Sequence, residues 1–320
     1  MSTIALPAAA GEGRYATVSA DDGTPLAVRV FGADDATLTV VFVHGHCLRA
    51  DSWSFLREHL LPRWDSSTRM VFYDHRGHGD SGAADPSTYT IDQLGHDLDA
   101  VLRAVAPTGP VVLVGHSMGA MVALAYARLH PAAIGTRVAG IALLASAAGG
   151  ITSVGLARVL HRHAVTSFQV AVRRAPRIMQ ASKQFGRRVL EPIIREASFG
   201  TRAVSPRMVA VATAMLNDTP LLTMASFLDS LIRFDETATL ALLADLPALV
   251  LAGSADIMIP FAHSVVLASQ LSAAELVRLD GAGHSVILER AEEVAIAVLA
   301  LVDRARATST APSPICAIAG

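Results

Sequence analysis

Six apolar runs, at residues 39–43, 70–73, 111–114, 138–144, 248–251 and 276–279, recur along the chain at wide intervals. None has the strict alternation of a half-exposed strand, so they read as strands covered on both faces. Between them, apolar residues return at helical spacing near 52–61, 91–106, 118–130, 261–271 and 288–306. Two earlier strands are expected at 14–18 and 25–31, joined by the turn Asp21-Asp22-Gly23. Strand and helix in alternation predict an α/β fold, a mostly parallel sheet with helices on both faces.

One interval breaks that rhythm. Residues 146–246 contain no convincing strand, only helical-period segments such as GLARVLHRHAVTSFQVAV and LLTMASFLDSLIRF. A structureless loop of that length is foreign to a compact domain. We therefore expect a helical cap, inserted over the carboxyl ends of the strands, where open α/β sheets bind ligands. The division is a first core segment 1–145, a cap 146–246, a second core segment 247–306 and a disordered tail 307–320.

The strand ends carry the candidate chemistry. GHSMG, residues 115–119, is a polar interruption between a strand and a helix that Pro131 terminates. Glycine two places to either side of Ser117 is the sequence form of a nucleophile elbow, a turn tight enough to strain the serine backbone. Gly-x-Ser-x-Gly also occurs by chance, so the remaining parts of a serine hydrolase must be found elsewhere. VHGHC, 43–47, ends another strand. An oxyanion needs two preorganised N–H donors, and the main chains of His46 and Met118 are placed to give them. The plainer alternative for that stretch is a turn flanked by two core histidines. In YDHRGHGDSG, 73–82, we assign Asp74 and Arg76 to holding a tight loop by charge-assisted hydrogen bonds, and give His78 and Asp80 no chemistry. GSADIMIP places Asp256 just beyond a buried strand, and GAGHSVILE places His284 on a glycine-flanked loop after the last one. A surface Asp and a surface His are common, and Asp256 or His284 alone would be unremarkable. Ser117, Asp256 and His284 all at carboxyl ends of strands, in that order, are hard to reach by chance.

Composition narrows the setting. Of 320 residues 52% are hydrophobic and 17% charged, enough apolar material for a sizeable core. A net charge of −2 gives no global field for nucleic acid. Cys47 and Cys316 form neither a disulfide framework nor a metal-ligand spacing, which fits a reducing compartment. The first residues show no basic-then-apolar leader, and the apolar stretches are too short or interrupted to cross a bilayer, so the expectation is a cytoplasmic protein needing no metal or cofactor. Residues 151–207 hold eleven Lys and Arg against Glu191 and Glu196 alone. That face is either simply solvated or draws anionic lipid surfaces or acidic substrates to the entrance.

Taken together, VHGHC, DHRGHGDS, GHSMG, GSADIMIP and GAGHS resemble the α/β-hydrolase superfamily, in particular its esterase, lipase and cofactor-free peroxidase members. The resemblance covers roughly 13–145 and 246–306; the cap shows no motif. It implies an eight-stranded sheet with Ser117 as nucleophile, His284 as base and Asp256 as orienting acid. Serine at 117 separates the chain from the epoxide hydrolases and haloalkane dehalogenases of this fold, which use aspartate there. His46 departs from the bulky apolar or aromatic residue often found in relatives. The expected activity is hydrolysis of a small-molecule carboxylic ester with a lipid-like or small apolar acyl group. Two alternatives stand beside it: peracid formation from peroxide with the same three residues, and a non-catalytic ligand receptor.

Overall fold

The computed structural model describes residues 13–152, 162–201 and 204–310. Eight strands form one sheet: β1 Arg14–Ser19, β2 Pro25–Phe31, β3 Leu38–Val43, β4 Thr68–Tyr73, β5 Val111–His116, β6 Val138–Leu144, β7 Ala248–Gly253 and β8 Ala274–Leu279. Their order is β1-β2-β4-β3-β5-β6-β7-β8. β1 and β2 pair antiparallel, β2 joins β4 antiparallel, and every later pairing is parallel.

The uninterrupted apolar reading of the central strands has a direct cause. Val41 and Val43 enter one core layer while Val40 and Phe42 enter the other, so neither face of β3 is left for polar residues. The first layer is roofed by α2 (Ile91–Val105), α3 (Met118–Leu129) and α8 (Ala262–Gln270). The second is roofed by α1 (Ser54–Leu60), α9 (Val286–Glu289) and α10 (Ala291–Thr310). At the sheet edge the pattern loosens. β8 begins two residues before the expected 276, at Ala274, and leaves Glu275 and Arg278 exposed, because one side of an edge strand meets water.

Register brings the functional loops together. Val43 pairs with Tyr73 on one side and Gly115 on the other, and His116 pairs with Leu144. The loops after β3, β4, β5 and β6 therefore leave the sheet at one edge. From β3 the chain goes out to β4 and returns to β5 on the opposite side of β3, which opens the crevice where α/β sheets bind ligands.

Among the described residues, four α-helices occupy the interval between β6 and β7: α4 Arg162–Arg174, α5 Pro176–Ser198, α6 Pro206–Asp218 and α7 Leu221–Arg233. Proline begins α5 and α6, where a missing N–H costs nothing. Side chains bind the group together. Gln169 Nε2 donates to the Ala225 carbonyl at 2.8 Å, and Gln180 Oε1 accepts from Leu221 N–H at 2.9 Å. Lys183 Nζ donates to the carbonyls of Leu216, Asn217 and Thr219 at the end of α6. Phe227 of α7 is buried against Tyr89 and His78, fixing the insertion to the sheet side of the molecule.

The tail needs correction. α10 continues through Thr310, so 307–310 are helical rather than disordered; Leu301, Val302 and Ala305 are buried in the second layer and carry the helix past the expected stop at 306. The remaining tail with Cys316, and residues 1–12, lie outside the described residues. Among the described residues no single helix is long and apolar enough to cross a membrane.

Candidate active site

Ser117 joins β5 to α3 with φ 52° and ψ −119°, a conformation that a side chain disfavours. The surroundings enforce it. A Cβ at Gly119 would lie 1.9 Å from the Val43 carbonyl oxygen, and one at Gly115 would lie 2.5 Å from Ala120 Cα. Ser117 N–H donates to the Leu144 carbonyl at 2.8 Å, and Ser146 Oγ donates to the Ser117 carbonyl at 3.0 Å, which pins the turn to the end of β6.

The structure brings Ser117, His284 and Asp256 into one chain of hydrogen bonds. His284 Nε2 lies 2.9 Å from Ser117 Oγ, and His284 Nδ1 lies 2.8 Å from Asp256 Oδ2. A carboxylate only accepts, so Nδ1 carries the proton and the Nε2 lone pair faces the serine hydroxyl. The side chain of Asp256 is fully buried, and its other oxygen, Oδ1, accepts from the N–H groups of Met258 and Ile259, each at 2.9 Å. Both sides of the imidazole are thus fixed.

His46 and Met118 also meet at this point. Gly45 passes so close that a Cβ there would sit 3.2 Å from Ser117 Cβ. In the loop that follows, Cys47 N–H donates to His78 Nε2 at 3.2 Å and Leu48 N–H to the Gly45 carbonyl at 3.2 Å. His46 N–H has no partner among the described residues, nor has Met118 N–H, the first donor of α3.

The other histidines are spent on architecture. His44 Nδ1 donates to the Gly45 carbonyl, its Nε2 accepts from His75 N–H at 3.0 Å, and His75 Nε2 donates back to the His44 carbonyl at 3.0 Å. Burial drives His44 and His78 well below the usual imidazole range, His75 to about 3 and His46 to about 4. The loop after β4 matches its structural reading. Asp74 accepts from Ala50 N–H at 2.6 Å and Asp80 N–H at 2.9 Å; buried Arg76 forks onto Asp97 at 2.6 and 2.7 Å and reaches Asp22 at 2.7 Å.

Sequence reasoning passed over His116, which sits inside the elbow motif itself. Its Nε2–H donates to the His284 main-chain carbonyl at 2.9 Å, and burial lowers its imidazole to about 3, keeping it a neutral donor. It holds the backbone of the residue facing Ser117 across 168 positions of chain.

A cavity of about 330 Å³ opens onto Ser117 and His284. Its far walls are Phe168 of α4, Ala212 and Leu216 of α6, and Leu221, Met224 and Leu228 of α7. A larger crease of about 750 Å³ lies elsewhere, among Asp92, Arg128, Arg173 and Asp229, and touches none of Ser117, Asp256 or His284. Among the described residues no cluster of three or more His, Cys, Asp or Glu could hold a metal ion.

The chain is similar to several known proteins. Proline iminopeptidase PfmaB of Pestalotiopsis fici is 35% identical over 107 residues, 33% of this chain and 36% of that protein. The monoacylglycerol lipase of Mycolicibacterium smegmatis is 30% identical over 96 residues, 29% of this chain and 33% of the lipase. The chain thus spans about a third of the length of these curated relatives. A thermophilic esterase from Thermogutta terrifontis superimposes with a TM-score of 0.73 at 24% identity, over 91% of this chain and 99% of that one. The profile of the alpha/beta hydrolase family matches residues 40–298, which contain the elbow, the β3 loop, Asp256 and His284, and the chain belongs to that family.

Proposed function

We propose that the protein hydrolyses carboxylic esters through a Ser117-His284-Asp256 triad and an acyl-enzyme. The observation that carries this reading is the pair of hydrogen bonds, 2.9 and 2.8 Å, that link a strained serine through one imidazole to a buried carboxylate at the mouth of an apolar cavity. His284 Nε2 takes the proton of Ser117 as Oγ bonds to the acyl carbon. The carbonyl oxygen becomes an oxyanion held by the N–H groups of His46 and Met118. His284 then returns the proton to the leaving alkoxide, and the acyl-enzyme remains. Water, deprotonated by the same nitrogen, attacks the acyl carbon; Ser117 Oγ leaves and recovers the proton. Asp256 keeps the proton on Nδ1 throughout, so that Nε2 always faces the chemistry. The walls offered by Phe168, Leu216, Leu221 and Leu228 suit an apolar acyl group.

The test is a fluorophosphonate probe, which reacts with an activated serine. One equivalent should label the protein, and Ser117→Ala, with its circular dichroism unchanged, should take none. Labelling that persists in that variant, or none in the parent, overturns the reading.

The basic insertion belongs to the same proposal as a weak contact with anionic lipid surfaces. At the corner between α4 and α5, Arg173, Arg174 and Arg177 are exposed beside Ile178, itself 70% exposed, and form no salt bridge among the described residues. Arg158 and Arg202, and the side chains of Arg162, Arg187 and Arg188, lie outside the described part. Guanidinium groups around an exposed aliphatic side chain match a negatively charged interface, and salt screens the attraction. Cosedimentation at low salt should favour phosphatidylserine vesicles over neutral ones, and replacing the three arginines with glutamate should remove the difference. Equal binding to both vesicles refutes the contact.

A further inference from the structure

The loop that carries His284 is laced to the end of α5. Ser285 N–H donates to the Ser198 carbonyl at 2.7 Å, and Thr201 N–H to the Gly281 carbonyl at 2.9 Å. The two backbones touch: a Cβ at Gly200 would lie 2.0 Å from the Gly281 carbonyl oxygen. Across this seam lies one carboxylate. Glu289 Oε2 accepts from Gly283 N–H at 2.9 Å and from Gly200 N–H at 3.1 Å. The short helix α9, whose Glu289 N–H bonds back to the Ser285 carbonyl, turns the chain so that Glu289 returns over the residue just ahead of His284.

We propose that Glu289 is a positioning residue for His284, joining the main chain at Gly283 to the end of the helical insertion and so fixing the imidazole at bonding distance from Ser117. The inference rests on the reading of His284 as the base. Three features carry it beyond ordinary loop packing. The contact falls on the peptide directly before the histidine. His116 holds the carbonyl on the other side of that same residue, so the imidazole is suspended between two anchors. And the same Oε2 also accepts from Gly200 N–H, so one carboxylate ties the peptide before the base to the end of α5. The seam also ties the base to the cavity wall, since Ser198 lines the cavity and accepts from Ser285 N–H.

The consequence is a change in kcat without one in KM. Removing the carboxylate frees two main-chain N–H groups and lets the loop drift, and a displacement of about 1 Å at a reacting group costs up to about 10²-fold. The apolar walls from α4, α6 and α7 are untouched, so ground-state binding stays. Steady-state turnover of a short p-nitrophenyl ester by the full chain reads this directly. Glu289→Ala should lose about 10- to 100-fold in kcat with KM within about threefold, and its rate of fluorophosphonate labelling should fall in parallel. Glu289→Gln keeps an acceptor oxygen at the same reach and should recover kcat to within about threefold of the parent. A folded Glu289→Ala whose kcat is unchanged, or a loss confined to KM, overturns the proposal, as does a Gln variant as slow as the Ala one. Should Glu289→Ala fail to fold, Glu289→Asp replaces it: the shorter acid keeps the charge but not the reach. Gln faster than Asp then supports the positioning role, and Asp equal to or faster than Gln overturns it. Because the parent enzyme is labelled and assayed alongside, failure of the triad reading shows there first, as an inert parent.

Discussion

Asp256→Asn is expected to lower turnover by about 10⁴ while leaving the fold intact, the scale known for the equivalent change in a serine protease. The structure says why an isosteric amide fails. Asp256 Oδ1 accepts from two main-chain N–H groups, those of Met258 and Ile259. An asparagine must keep its carbonyl oxygen there, because its amide would point donors at donors. The NH2 group then faces His284 Nδ1, which can accept from it only by giving up its own proton. The neutral ring moves that proton to Nε2, and the nitrogen facing Ser117 becomes a donor that cannot take the hydroxyl hydrogen. Asp80→Asn is the control. Its side chain is exposed, and the loop is held by Asp74 accepting from the Asp80 main chain, which the substitution retains. Asp80→Asn should stay within about threefold of the parent, the small effect usual for surface changes. Comparing kcat of the two variants on one p-nitrophenyl ester decides the matter. The reverse ranking would move the orienting acid to the loop after β4.

The strands, the elbow and the places of Asp256 and His284 were legible because their signals are local. A strand buried on both faces, such as β3 with Val41 turned one way and Phe42 the other, must be apolar throughout. A serine forced to positive φ next to the Val43 carbonyl must have glycine at 119. Asp256 and His284 were legible by place, each in the loop after a strand whose end can be read from its neighbours. His116 and Glu289 were not, although both stand inside stretches read for other reasons. His116 acts on a carbonyl 168 positions away and Glu289 on an N–H 89 positions away, and no spacing rule encodes such partners. The cavity wall was illegible for a different reason. Phe168, Leu216 and Leu228 belong to amphipathic helices whose apolar faces would pack equally well against a plain core, and only the register of four helices over the sheet turns them into a pocket. At the chain's end the helix stop expected at 306 came too early, because buried Leu301, Val302 and Ala305 keep α10 helical.

The largest loss is expected from His284→Ala, and it separates the base from the histidines that crowd the site. Removing the proton acceptor of a serine triad costs about 10⁶ in kcat, as much as removing the serine. His46 is the competitor to exclude, since it flanks the elbow and lines the cavity. Its role in the proposed mechanism needs only a main-chain N–H, which every residue except proline supplies. The imidazole itself packs edge-on against two rings, with centroids 5.9 Å from Phe227 and 5.8 Å from His78. His46→Ala should therefore keep turnover within about tenfold, equivalent to about 1.4 kcal/mol of barrier. His46→Pro should lose about 10²–10³, the cost of deleting one oxyanion donor. That N–H has no partner among the described residues, so its removal takes no hydrogen bond from the fold. The order His284→Ala slowest, His46→Pro intermediate and His46→Ala nearest the parent is measured on one short p-nitrophenyl ester, each variant first shown by circular dichroism to be folded. A His46→Ala as inert as His284→Ala would place chemistry on the imidazole at 46. A His46→Pro as active as the parent would mean that the oxyanion takes its second donor from another part of the loop.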